Sequence, residues 1–419
     1  MRKSLLFIMI AMVITTVLLL TNCAKKDVPE PQPVPEETGD QIPSPDKMIL
    51  SAESWKEKYP MIYESFIRTS RARDDVAEDS DLGGQHAIDY LKKYPNIKIL
   101  YEGMGFSKEY YQARGHYYAL EDVINTARPK SGASCLACKT AEYEKLFVQN
   151  GSDLFAMDFQ KTVQDLEYSI SCYNCHRNQP GEGVQITAPH LAEGVKKLAS
   201  QPAAGTLACV QCHVEYFIDP QTKAVVLPWD NGTGIEQIEA FYDEKNFADW
   251  VHPRTGTPLI KVQHPEFEMF TGSFHQVSKV TCAHCHMPTV EENGQEYKSH
   301  WAKSPLKTAE ESCGRCHGEE VDRVTAVVES VQKDIESREA EVSNMLVKLV
   351  EDFAAAIETK TLDDQTIEQI RALHRKAQYR WDFVFVENSN GFHNETKARK
   401  ALDEAKDYAQ QALNILNPQ

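Results

Sequence analysis

With 62 acidic against 45 basic residues in a chain of 419, the formal charge is −17. A surface that tracks phosphates must be basic, so nucleic acid is excluded as a partner. The length supports one large or two moderate domains with a real core, and ordinary solubility accounts for the acidic balance, with a basic redox partner as the alternative.

The amino terminus reads as an export signal: Arg2 and Lys3 precede an apolar run from Leu5 to Leu20. That run is short for a membrane span, with an uncleaved anchor as the alternative. Leu20-Thr21-Asn22-Cys23 is similar to a lipobox, whose cysteine is acylated, although Asn22 stands where a small residue is usual. Cys23 lies outside every cysteine pair and needs a reason of its own. Residues 1–23 are therefore expected to export the chain to the periplasmic side and to anchor it by lipid at Cys23. Residues 24–47, with prolines at 29, 31, 33, 35, 43 and 45, are expected to form a disordered linker.

The stretch 48–320 is irregular in pattern and holds five C-x-x-C units. They are Cys135/Cys138 followed by Lys139, Cys172/Cys175 by His176, Cys209/Cys212 by His213, Cys282/Cys285 by His286, and Cys313/Cys316 by His317. Four end in histidine, the attachment signature of c-type haem. Two thioethers fix the porphyrin, and the next residue is thereby delivered to the iron as axial ligand. Structural zinc and disulfides also use paired cysteines, but neither explains the residue that follows each pair. Lys139 is the exception. A lysine ligates iron only if desolvation and the metal charge displace its proton; the alternative is a degenerate motif. Five haems would supply much of the core, so the chain around them needs little regular structure.

A haem with histidine on both faces transfers electrons, whereas one with an open face can bind substrate. Of 14 histidines, removing the four proximal ones leaves ten as candidates for distal faces.

From 321 to 419 the pattern becomes helical. Val324, Val328, Val331, Ile335, Val342, Met345, Leu349 and Phe353 recur at three- and four-residue steps, marking one face of a long helix. Ile367, Ile370, Leu373, Ala377 and Trp381 mark a second, and Glu395 to Leu416 a third. The stripes predict either packing onto the haem-bearing part or a dimer interface. The expected class is mainly α, a multihaem cytochrome with an irregular haem-wrapping part and long C-terminal helices.

One C-x-x-C-K followed by four C-x-x-C-H motifs resembles the ammonia-forming, five-haem cytochrome c nitrite reductases. Ala113-Arg114-Gly115-His116, the run Cys209 to Tyr216, Lys261-Val-Gln-His-Pro-Glu266, Cys285-His-Met-Pro288, and Trp381 through Gly391-Phe-His-Asn394 are similar to that family's signatures. The resemblance covers about Arg68 to the C-terminus. It implies that His300, His116, His393 and His275 are the distal ligands of the second to fifth haems, and that His264 stands in an open pocket. Histidines 86, 190, 252, 284 and 374 are left as surface or structural residues. It implies a pocket of Arg128, Tyr216 and His264 above the haem of Lys139, with Arg114 as the alternative to Arg128. It implies calcium held by the side chains of Glu215 and Gln263 and the carbonyls of Tyr216 and Lys261. Without the resemblance, Glu215 and Gln263 would read as surface residues. The implied activity is six-electron reduction of nitrite to ammonium; hydroxylamine or sulfite reduction, or electron carriage without catalysis, are the alternatives. The implied partners are a membrane quinol-oxidising haem protein or a small cytochrome as donor, and a second copy in a homodimer.

Overall fold

The structure is a computed structural model that describes residues 42–70 and 87–418. The export signal, the lipobox with Cys23, most of the expected linker and His86 lie outside the described residues.

No proline interrupts the chain between Pro305 and Pro418, and three long helices occupy most of that interval. Helix α1 runs Val321–Glu358 and buries Val328, Val331, Ile335, Val342, Leu346, Leu349 and Phe353 along one face. Its path ends where Lys360 takes a positive φ of 53°. Asp363 then caps α2, Asp364–Phe385, by accepting from the Thr366 amide at 2.7 Å. Helix α3, Glu395–Leu416, is capped in the same way by Asn394, which accepts from the Lys397 amide at 3.2 Å. Its buried face carries Ala398, Ala401, Ala405, Ala409 and Ala412. Small side chains at this spacing let α3 lie close along α1 and α2.

The apolar stripe of α1 is covered within the chain, by α2, by α3 and by the short helix Ile97–Leu100. Val327, 53% exposed, is the large apolar side chain left outside on that helix. The stripe is thus met chiefly by the other two long helices, with Ile97–Leu100 as the contribution of the haem-bearing part. Trp381 ties α2 to α1: it is buried, and its indole donates to the Glu339 carbonyl at 3.1 Å.

Between 42 and 320 the chain forms short helices, 3-10 turns and three two-stranded antiparallel hairpins. The hairpins pair Phe217 with Val226, Trp250 with Leu259, and Thr289 with Lys298 at their ends. The last turns on Asn293-Gly294, both at positive φ (54° and 75°), the pair that suits the twist of a two-residue hairpin. The packed chain reaches into the expected linker: Pro45–Lys47 is a 3-10 turn, and the Lys47 carbonyl accepts from Asn178 Nδ2 at 2.8 Å. Among the described residues no helix is long and apolar enough to cross a membrane.

Candidate active site

One cavity of about 1760 Å³ runs through the described part of residues 42–320 and along α1, and the ten cysteines of the five motifs line it together with the residue that follows each pair. Its ten cysteines form no disulfide among the described residues. Each histidine motif is a single helical turn: the amides of His176, His213 and His317 donate to the carbonyls of Cys172, Cys209 and Cys313 at 3.0, 2.9 and 2.9 Å. Such a turn sets the two cysteines on one side and carries the next residue over the same ground. The Lys139 motif is wound more tightly, with i to i+3 bonds from Ala137 to Ser134 and Lys139 to Leu136. A longer side chain suits that different turn.

The motifs also touch one another. The thiols of Cys138 and Cys212 lie within hydrogen-bonding reach, and so do those of Cys209 and Cys282. The first motif thus abuts the third, and the third abuts the fourth, which is the adjacency that electron transfer between cofactors requires.

Facing histidines supply a test of whether haem fits. Ring centres lie 6.3 Å apart for His176 and His300, 6.3 Å for His116 and His213, and 6.1 Å for His286 and His393. A metal–nitrogen bond of about 2 Å and about 1 Å more to the ring centre, counted on both sides, spans about 6 Å. Each gap therefore has room for one ion between two imidazoles. His317 is also a neighbour of His275, close enough to disfavour a proton on it. Gly115, at φ 111°, delivers His116: a Cβ there would meet Lys303 Nζ at 2.8 Å.

Arg128, Tyr216 and His264 line the same cavity as Lys139, with Arg128 and Tyr216 near each other and near Cys135, and His264 near Lys139. The Arg128 guanidinium lies 4.2 Å above the Phe106 ring, and its Nε donates to Thr126 Oγ1 at 3.1 Å. Its terminal nitrogens have no protein partner among the described residues, leaving the fork open to an anion. Arg114 differs: its nitrogens donate to Glu121 at 2.7 Å and to Asp122 at 2.8 and 2.5 Å, and it stacks on Tyr118. Two carboxylates already occupy its Nε and Nη2. Burial, with Cys138 and Cys135 nearby, pushes the Tyr216 hydroxyl well up. His264 is pushed down to about 4, chiefly by burial and, despite nearby Glu266, further by Lys139 and His213. Its buried Nδ1 has no hydrogen-bond partner, which leaves it free for one that enters the cavity.

Residues 51–418 match the cytochrome c552 family. The chain belongs to that family. It is 31% identical to cytochrome c-552 of Parabacteroides distasonis over 387 residues, covering 87% of this chain and 76% of the relative. Against cytochrome c-552 of Bacteroides thetaiotaomicron the identity is also 31%, over 86% of this chain and 75% of the relative. The fold is similar to that of the cytochrome c nitrite reductase catalytic subunit from Desulfovibrio desulfuricans, a structure described for its two calcium sites. The TM-score is 0.79 at 27% identity, covering 87% of this chain and 85% of that one. Membership in the cytochrome c552 family makes this chain a multihaem c-type cytochrome.

In this cytochrome Glu215 is fully buried, contrary to the surface position that its sequence context alone suggested. Its carboxylate accepts from the Gln263 amide at 2.6 Å and from the Tyr242 hydroxyl at 2.8 Å. No lysine or arginine pairs with it among the described residues. Burial, with Glu268 and Asp249 near, drives its pKa far up. Gln263 Nε2 donates to the Lys261 carbonyl at 2.9 Å, so Gln263 touches Glu215 through its backbone and Lys261 through its side chain. An uncompensated buried carboxylate beside carbonyl oxygens fits a hard cation. Among the described residues no three His, Cys, Asp or Glu side chains gather as a metal site, so a cation here would depend on carbonyl and amide oxygens.

Several contributors were not visible in the sequence. Asp382 of α2 accepts from the Val262 amide at 2.9 Å and from Lys261 Nζ at 3.1 Å, pinning the segment that carries Gln263 and His264. Glu266 lies 3.7 Å from His213 Nδ1 and 4.0 Å from His264 Nδ1. Glu387 lies 2.5 Å from His393 Nδ1. Glu266 could have been suspected from its place two residues after His264; nothing local marks Asp382 or Glu387. His252 and His374 are fully buried and His190 nearly so, each bonded to protein groups, as structural residues are.

Proposed function

We propose that this cytochrome reduces nitrite to ammonium by six electrons at a haem attached through Cys135 and Cys138 and ligated by Lys139. The observation that carries the proposal is the open Arg128 fork together with Tyr216 and His264 in the cavity that Lys139 lines. Four haems ligated by His176 and His300, His213 and His116, His286 and His393, and His317 and His275 would supply electrons. Bound iron contributes a site for the nitrite nitrogen and the one-electron chemistry that side chains lack.

Arg128 orients the anion: its open fork meets two oxygens at once and offsets their charge in a water-poor site. His264 presents an unsatisfied ring nitrogen to the same space, from which it hands protons to oxygen as N–O bonds break. Tyr216 keeps its proton, held there by burial, and donates a hydrogen bond without competing as an anion. Calcium bound by Glu215, Gln263 and the carbonyls of Tyr216 and Lys261 would neutralise the buried carboxylate and raise the positive potential facing nitrite. The same reading takes the protein to be exported, lipid-anchored through Cys23, homodimeric, and served by a membrane quinol-oxidising haem protein or a small cytochrome.

The test is a spectrum of the purified holoprotein with a haem count, before and after nitrite. Five haems per chain, one of them high-spin and altered by nitrite, are expected. A purely low-spin spectrum would instead indicate an electron carrier. Arg128→Ala should lower nitrite turnover by about a hundredfold or more, the usual cost of a lost oxyanion donor, while all five haems stay attached.

A further inference from the structure

Two facing imidazole pairs are held differently at their Nδ1 atoms. In the pair of His176 and His300, both Nδ1–H groups donate to neutral carbonyls, of Gly183 at 2.6 Å and Lys298 at 2.9 Å. In the pair of His286 and His393 only His286 does so, to the Lys303 carbonyl at 3.1 Å. His393 Nδ1 faces a carboxylate instead, Glu387 Oε1 at 2.5 Å, in a bent contact.

That carboxylate is built in. Glu387 is 1% exposed. Ser389 Oγ donates to its Oε2 at 2.6 Å, and the backbone amides of Ser389 and Gly391 donate at 3.2 and 3.4 Å. These donors fix the orientation of the carboxylate, and none of them carries a positive charge. Among the described residues no lysine or arginine pairs with it, so the charge is directed at His393. Gly391, at φ 80°, closes the turn, and a Cβ there would strike Ile335 at 2.8 Å.

We infer that Glu387 is a positioning residue that sets the reduction potential of the haem held between His286 and His393. Drawing the Nδ1 proton toward Glu387 makes the opposite ring nitrogen a stronger donor to iron. A stronger donor, with a negative charge behind it, stabilises the ferric state. This haem is thus harder to reduce than it would be with a carbonyl in place of Glu387, whereas the His176 and His300 site has carbonyls on both sides. The inference rests on the ligand pairs assigned under the proposed function.

The experiment is a spectroelectrochemical titration of the holoprotein with its Glu387→Gln variant. One haem of the variant should be easier to reduce by about tenfold in its ferrous to ferric ratio, about 59 mV for one electron, with the others unmoved. Glu387→Asp keeps the charge but moves it back, and should give a smaller upward shift; it serves as the readout if the Gln variant fails to load its haems. An unchanged potential in the loaded variants overturns the inference. His393→Ala separates the two layers of the argument: it should create one additional high-spin haem. Absence of that signal would overturn the ligand pair itself, whereas its presence beside unshifted Glu387 variants would overturn the role of Glu387 alone.

Discussion

The two parts of this molecule acquire their cores by different means. Residues 321–418 bury Leu346, Leu349, Phe353, Ile370 and the alanines of α3 in a core of side chains alone, which continues into Ile97, Leu100, Tyr101 and Ile238 of the other part. Residues 42–320 are short turns and hairpins around a cavity of about 1760 Å³, whose wall is written in cysteine and histidine. A side-chain core follows from periodicity and packs itself. A cofactor core is specified as attachment points, and its stability belongs to what becomes attached.

The strongest way to break this contrast is to remove one attachment point. Replacing both Cys209 and Cys212 by alanine deletes the motif that abuts both the first and the fourth. Limited proteolysis read by mass spectrometry should then show cleavage throughout 87–320 while the span of α1 to α3 stays protected. Loss of protection in both parts together would mean that the helices do not stand alone. Next in size, Phe353→Ala leaves a hole in the helical core and should cost about 3–5 kcal/mol of unfolding free energy in denaturant titration. The haem spectrum should be unaffected, and a shifted Soret band would show that the helices transmit strain into the cavity.

The smallest effect lies where the two parts meet. Glu339 projects from α1 into the cavity wall, with Oε1 unpartnered. Burial, with Glu336 and Glu387 adding to it, raises its pKa from 4.5 to about 8. The folded protein therefore holds this proton more tightly than the unfolded chain does. The resulting stability is complete below pH 4.5 and is lost as the pH rises toward 8. Glu339→Gln cannot ionise, and should flatten that fall in melts between pH 5 and 8. An unchanged slope would show that another charge already compensates Glu339 in the holoprotein.

What the sequence made legible divides along the same line. The helices could be read because their faces repeat locally, and α3 spans Glu395 to Leu416 as its pattern indicated. The cysteine motifs could be read because attachment chemistry fixes their spacing. Arg128 stood as one of two candidates; the bonds that occupy Arg114 come from Glu121 and Asp122 within one local turn, yet proximity along the chain did not reveal which fork stayed open. Glu215, Asp382 and Glu387 were opaque for another reason. Their meaning lies in groups brought from afar, such as the Val262 amide on Asp382, 120 residues away. A lone carboxylate in a sequence looks like a solvated one.

The order in which the histidine partners are made has a consequence for biosynthesis. A chain emerges amino end first. His213 therefore meets a partner, His116, that has already been synthesised, whereas His176 and His286 face partners, His300 and His393, that arrive later. His393 arrives last of all, on the connection between α2 and α3. The last part of the cavity wall to be synthesised is therefore the one that carries His393, so the cavity cannot be complete before the connection between α2 and α3 has been made.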